Sequence, residues 1–212
     1  MAIRPQSSEL TGGSGFTFED GVSAQYLAGL LFEGSMPGLP GHIITRVALQ
    51  QAAFGEPLDD LIVDGTANDG SVARLSLQIK RSLNIGAGTT DFREIIGNSW
   101  KTLKKDGFQI GRDRFGFVVG TISDDRLRSL QTICEWARAS DDATHFAERF
   151  AAGGLASNDH RSIRQAIETI LLETGGGLYR SKSCNLCWRI FWQSNAMRCT
   201  KVRRRRLPLS IS

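Results

Sequence analysis

Leu75-Ser76-Leu77-Gln78-Ile79-Lys80 reads as one β-strand with two chemically distinct faces. Successive side chains of a strand point to opposite sides. Leu75, Leu77 and Ile79 therefore line one face, and Ser76, Gln78 and Lys80 the other. Upstream, a second short strand pattern opens on an acidic pair, Asp59-Asp60-Leu61-Ile62-Val63. Between the two, Asp64-Gly65 to Asp69-Gly70 reads as a loop with two turn signals. The pair is expected to form a hairpin buried on its apolar face. Such a hairpin would set a carboxylate, an amide oxygen and an ammonium around one point. Those are the groups that hold a divalent cation and a water against a phosphodiester.

The pattern extends in both directions. Upstream, Val22, Tyr26, Leu27, Leu30 and Leu31 recur at helical spacing and predict a buried stripe on a helix from Phe18 to Phe32. Glu19 sits on or beside that stripe. Pro37-Gly38-Leu39-Pro40-Gly41 stops the helix, and the β-branched run Ile43–Leu49 predicts a strand. Downstream, Asp91 to Lys105 is expected to be helical, with Phe92, Ile95, Ile96, Trp100 and Leu103 as its stripe and Thr90 or Asp91 as its N-cap. Phe115–Ile122 is a continuous apolar run, which predicts a strand buried on both faces. Helices are expected at 124–139, 142–152 and 159–173, the last two capped by Asp141 and Asn158. The order helix, three strands, helix, strand gives an α/β core with a mixed sheet, followed by a helical extension.

At 212 residues and 41% hydrophobic content, the chain can bury a real core. No apolar run approaches the roughly 20 residues that span a bilayer. Met1 to Gly15 lacks the apolar stretch of a secretory signal, so the expectation is a cytoplasmic protein with a flexible arm at 1–15. The net charge of +4 misleads. Leu178 to Ser212 holds nine of the 26 Lys and Arg and none of the 22 Asp and Glu, so residues 1–177 carry a net charge of −5. The four expected segments are an arm at 1–15, a core at 16–122, a helical extension at 123–177 and a basic tail at 178–212. The tail contains Cys184, Cys187, Cys199 and the run Arg203 to Arg206. It reads as a nucleic-acid-binding tail, as a zinc half-site at Cys184-x-x-Cys187 lacking a second pair, or as an out-of-frame or truncated end.

The helix–three strands–helix–strand order, Glu19 on the first helix, Asp60 at the second strand and Gln78-x-Lys80 on the third resemble the PD-(D/E)XK nuclease superfamily in its Gln-x-Lys form. The likeness covers residues 16–122. It implies a restriction-endonuclease-like αβββαβ core and a Mg²⁺- or Mn²⁺-dependent DNA endonuclease. The Gln-x-Lys form occurs as N-terminal double-stranded-DNA endonuclease domains of bacterial anti-phage proteins. Some are associated with cyclic-oligonucleotide signalling and some are fused to large NTPases. The resemblance thus implies a missing C-terminal sensor or NTPase module, with activation through a homo-oligomer as one route. Asp60 would bind the metal, with Asp59 as competitor because the two point to opposite faces. Gln78 would stand at the (D/E) position, Lys80 would be the catalytic lysine and Glu19 the helix-borne acid. An amide at position 78 adds no negative charge. Ser82, Lys101, Lys104, Lys105, Arg112 and Arg114 are candidates for contacts to the DNA backbone.

Each residue taken singly has an ordinary alternative. Asp59-Asp60 can be a turn charge pair, Gln78 and Lys80 a solvated strand face, Glu19 an acid favoured by the helix dipole. The alternative functions are a non-catalytic nucleic-acid-binding or assembly module of the same fold, an RNA nuclease, or a truncated fragment. His42, His145 and His160 form no cluster in the sequence, and Cys134 lies on an apolar helical stretch, as a buried thiol would.

Overall fold

The computed structural model describes residues 13–175 and 197–201, with backbone alone at 13–17 and 197–201. Helix α1 (Gly13–Leu31) precedes strands β1 (His42–Leu49), β2 (Leu61–Ala67) and β3 (Val72–Ser82). Helix α2 (Thr90–Leu103) leads to β4 (Arg114–Thr121), and helices α3 (Asp124–Ala139), α4 (Ala143–Glu148) and α5 (Asn158–Thr174) follow. A last strand, β5 (Met197–Lys201), lies in the tail.

The protein is α/β with a mixed sheet in the order β1-β2-β3-β4-β5. The β1–β2 and β2–β3 pairs are antiparallel, while β3–β4 and β4–β5 are parallel. The parallel β3–β4 pair requires a crossover, which α2 supplies. Side-chain alternation on β3 feeds two cores. Ala73, Leu75, Leu77 and Ile79 pack with Val22 and Tyr26 of α1 on one face. On the other, Phe115, Phe117 and Val119 of β4 pack under α2, α3 and α5. The sheet is thus covered on both sides. The expected one-faced hairpin is corrected accordingly: Ser76 and Gln78 are 2% and 3% exposed, because helices cover that face too.

The helices after residue 122 lie within the same core as α2. Ile163, Ile167 and Ile170 of α5 join the cluster that holds Phe92, Ile95 and Ile96. Arg93 of α2 pairs with Glu173 of α5 at its edge.

Several boundaries move from their expected places. Helix α1 begins at Gly13, inside the expected arm, and its Leu27 and Leu31 are exposed although both were expected in the buried stripe. Strand β2 starts after the acidic pair and runs through Asp64-Gly65 to Ala67, where a loop was expected. Asp64 tolerates the strand because Arg46 and Arg74, on the flanking strands, neutralise it at 2.9 and 2.8 Å. The N-caps are Thr89 and Ser157, each just before the residue expected, and Asp142, one residue after the expected Asp141. Helix α4 stops at Glu148, short of 152. Beyond it the Arg161 guanidinium donates to the carbonyls of Phe150, Ala151 and Ala156 at 3.2, 3.0 and 2.5 Å, replacing helical hydrogen bonds. Strand β5 was not foreseen; Cys184, Cys187 and Arg203–Arg206 lie outside the described residues.

Candidate active site

The end of β1 and the start of β2 come level at one rim of the sheet, beside Gln78 on β3. Leu49 pairs with Leu61, and Leu61 with Leu77. One residue further, Gln50, Asp60 and Gln78 stand abreast, with the Gln50 N–H donating to the Asp60 carbonyl at 3.2 Å. The Asp60 carboxylate then turns back over β3. Its Oδ2 accepts from Gln78 Nε2 at 2.6 Å and from the Ile79 backbone N–H at 2.6 Å. Asp60 rather than Asp59 makes this contact; the Asp59 carbonyl instead accepts from the Gln51 N–H at 2.8 Å.

The remaining half of the amide has no partner. Gln78 Oε1 is buried and accepts no hydrogen bond. An unmatched buried polar atom costs about 1–3 kcal/mol, and buried groups of this kind are rare enough to require a reason.

Lys80 lies two residues on, on the same face as Gln78, and its Nζ donates to Glu94 Oε2 of α2 at 2.9 Å. Asp91 on the same helix is 4.0 Å away. Burial pulls the Lys80 pKa down, but Glu94, Asp60 and Asp91 outweigh it, so the ammonium is held above its ordinary value. Glu94 was missed from the sequence. Its contact joins two elements, and an acid near a helix start has an ordinary explanation in the helix dipole.

Glu19 approaches from the other face. Gly120 on β4 makes room for the residue before it: a Cβ at Gly120 would lie 2.8 Å from the Arg81 carbonyl and 3.2 Å from the Phe18 ring. Glu19 is thereby brought into the field of Asp60 and Lys80. Its pKa is raised, first by burial and then by the Asp60 charge. The Asp60 pKa is also raised, burial again leading, against the lowering effect of the Ile79 N–H. Burial leads both shifts, with the charge of a neighbouring acid adding to each.

The structure therefore bonds Asp60 to Gln78 and places Lys80 and Glu19 within electrostatic range of the Asp60 carboxylate. Among the described residues, no three His, Cys, Asp or Glu side chains form a metal-binding group. The available donors are two carboxylates and one amide oxygen. Mg²⁺ is commonly held by one or two carboxylates and keeps several waters, and the orphaned Gln78 oxygen is an unused ligand, so the residues fit such an ion.

The basic residues expected at DNA lie elsewhere. Lys101 lies in the last turn of α2, about 10 Å along the axis from Glu94 at 1.5 Å per residue, with Lys104 at the C-cap and Lys105 just beyond it. Lys105 pairs with Glu56 at 2.8 Å, Lys104 sits 4.7 Å over the Trp100 ring, and Lys101 donates to Asn98 at 3.4 Å. Arg112 pairs with Asp113, and Arg114 donates to the Gly111 and Asp113 carbonyls. Arg114 is level with Leu75, at the strand end opposite Lys80. Ser82 closes β3 at the Lys80 end, level with Thr121.

Among the described residues, no helix is long and apolar enough to cross a membrane. No protein-family model matches the chain, and neither a curated protein nor a solved structure matches it significantly.

Proposed function

We propose that this chain is a metal-dependent endonuclease acting on DNA, with a restriction-endonuclease-like core of the Gln-x-Lys kind. The observation that carries the reading is the Gln78 side chain: its nitrogen is fixed by Asp60 while its buried oxygen is left without a partner, two residues from Lys80. Asp60, Gln78 and Glu19 would hold Mg²⁺ or Mn²⁺. When bound, such an ion polarises a phosphate and acidifies a coordinated water.

The chain's own groups do the rest. Asp60 is aimed by two hydrogen bonds, which fix its Oδ2 and leave Oδ1 without a hydrogen bond among the described residues. Lys80, kept protonated by its acidic neighbours, acts as a cation and donor. It orients the attacking water or stabilises charge growing on the phosphoryl oxygens. Glu94 keeps that ammonium at the rim. Lys101, Lys104 and Lys105 would meet the backbone of a duplex several phosphates from the cut, since each DNA strand advances about 3.4 Å per phosphate. Service as the effector of an anti-phage system, under a C-terminal sensor or NTPase module, rests on the resemblance alone.

A non-catalytic module is favoured by one observation: the Lys80 ammonium is engaged by Glu94. One experiment separates the two. Supercoiled plasmid is incubated with Mg²⁺ or Mn²⁺ and the wild-type chain, Lys80→Ala or Asp60→Ala. Nicking or cutting by the wild type, lost in both variants and on chelation, is the expected result. Cutting that survives Lys80→Ala sinks the assignment, and DNA binding without cutting by any form favours the non-catalytic module.

A further inference from the structure

The turn between β1 and β2 carries Gln50-Gln51-Ala52-Ala53-Phe54-Gly55, and it is tied to the site aspartates by their own backbone. The Gln50 and Gln51 N–H groups donate to the carbonyls of Asp60 and Asp59 at 3.2 and 2.8 Å. The Gln51 side chain donates to the Leu49 carbonyl at 2.6 Å, and the Gly55 N–H closes the turn on Ala52 at 3.0 Å. Gln50 adopts a left-handed conformation, φ 51° and ψ 56°, which a non-glycine residue keeps only where its surroundings over-determine it.

This braced turn holds Phe54 in water: its side chain is 76% exposed. It follows Gln51 by one 3-10 turn, about 6 Å at 2 Å per residue. Of the large apolar side chains exposed among the described residues, Phe54 is the one on the turn bonded to Asp59 and Asp60. A single surface phenylalanine is unremarkable. A rigidly presented one beside a phosphodiester site has a specific use, because aromatic faces stack on nucleobases whatever the sequence.

We propose that Phe54 is a substrate-positioning residue that stacks on, or wedges beside, a nucleobase next to the phosphate held at Asp60, Gln78 and Lys80. The inference rests on the nuclease reading of that site. Stacking fixes the strand's register by a contact common to all four bases.

The test is fluorescence-anisotropy binding of a labelled DNA duplex and its single strand, in chelator, by the full chain and by Phe54→Ala, Phe54→Trp and Phe54→Tyr. Plasmid cutting is measured alongside. Phe54→Ala should weaken binding about 5- to 150-fold, the equivalent of 1–3 kcal/mol at 1.4 kcal/mol per tenfold, with thermal unfolding unchanged. Phe54→Trp and Phe54→Tyr should restore binding, and DNA should quench the emission that Phe54→Trp adds over wild type. Unchanged binding by Phe54→Ala, or an added emission that saturating DNA leaves unaltered, overturns the inference while wild-type cutting leaves the nuclease reading intact. A Phe54→Ala chain whose mass falls from dimer to monomer also overturns it, in favour of a contact between copies. Wild-type binding without cutting removes the nuclease but keeps the stacking contact; no binding by the wild type overturns both.

Discussion

Gln78→Glu replaces a hydrogen-bond donor with an oxygen at a place where an acid already waits. In the wild type, Gln78 Nε2 lies 2.6 Å from Asp60 Oδ2, in a site where Gln78 is 3% exposed. Two full negative charges at 2.6 Å repel by roughly 6 kcal/mol at an effective dielectric of 20. Paired carboxyl groups escape this by keeping a proton between them. The unfolded chain releases that proton near the ordinary Glu pKa of about 4.3, and each pH unit above it costs the folded form about 1.36 kcal/mol. The folded pKa is raised above the unfolded one, so stability is lost as pH rises between the two. The expected destabilisation is about 2 kcal/mol at pH 6 and about 5 kcal/mol at pH 8. Urea unfolding of both proteins, followed by circular dichroism in chelator, measures it. Added Mn²⁺ should return stability to the variant at pH 8, because a cation bound by the folded state alone replaces the proton. A difference from wild type that stays constant from pH 6 to pH 8 refutes the side-chain contact on which the site is built.

Two further substitutions test the polar supports of the sheet. Burial raises the Asp64 pKa, but the Arg74 and Arg46 hydrogen bonds outweigh it and hold the carboxyl below its ordinary value. A depressed folded pKa contributes stability that is present above the ordinary Asp value of about 3.9 and lost as pH falls through the folded one. Asp64→Asn should therefore lie closer to wild type at pH 3 than at pH 7 in an acid series of urea titrations; an equal gap at both contradicts the ion pairs. Asp113, 3% exposed, accepts from the Arg74 and Gln109 backbone N–H groups at 3.1 and 2.9 Å. Asp113→Ala strands both donors and should cost roughly 2–6 kcal/mol of unfolding free energy in urea titrations, and a loss under about 1 kcal/mol would show that water replaces the carboxylate.

Helix α2 was legible because its stripe is amphipathic, and Phe92, Ile95, Ile96, Trp100 and Leu103 are all buried. Strand β4 was legible because a run without polar alternation has few other uses. Asp64-Gly65 misled because the turn propensity of the pair is local, whereas Arg46, Arg74 and the close approach of Met36 to Gly65 are not. Helix α1 misled differently: its apolar residues are spread around the helix, so the pattern does not say which face meets the sheet. The site was read from the spacing of Gln78 and Lys80 and from the acids at 19 and 60. Its register could not be, since β2 starts one residue after Asp60 and the carboxylate reaches β3 from outside the strand. The burial of Gln78 depends on α2 and on the helices packed behind it, which no strand pattern encodes.

The placement of the charges follows from that burial. A strand covered on both faces can keep an ionised group only where it is paired, as Asp64 is with Arg46 and Arg74, or where the strand leaves the sheet, since an unpaired charge in the interior is prohibitive. Lys80 lies two residues from the end of β3 and Asp60 one residue before the start of β2, so both reach the same rim. Gln78 is one step further in, where a neutral amide can be buried and a carboxylate beside Asp60 could not be without a proton or a cation. The neutral amide at position 78 is thus what lets this rim fold at neutral pH. The orphaned oxygen is the residual cost, of a size that one ligand bound to the folded state alone offsets at about 100 times its dissociation constant.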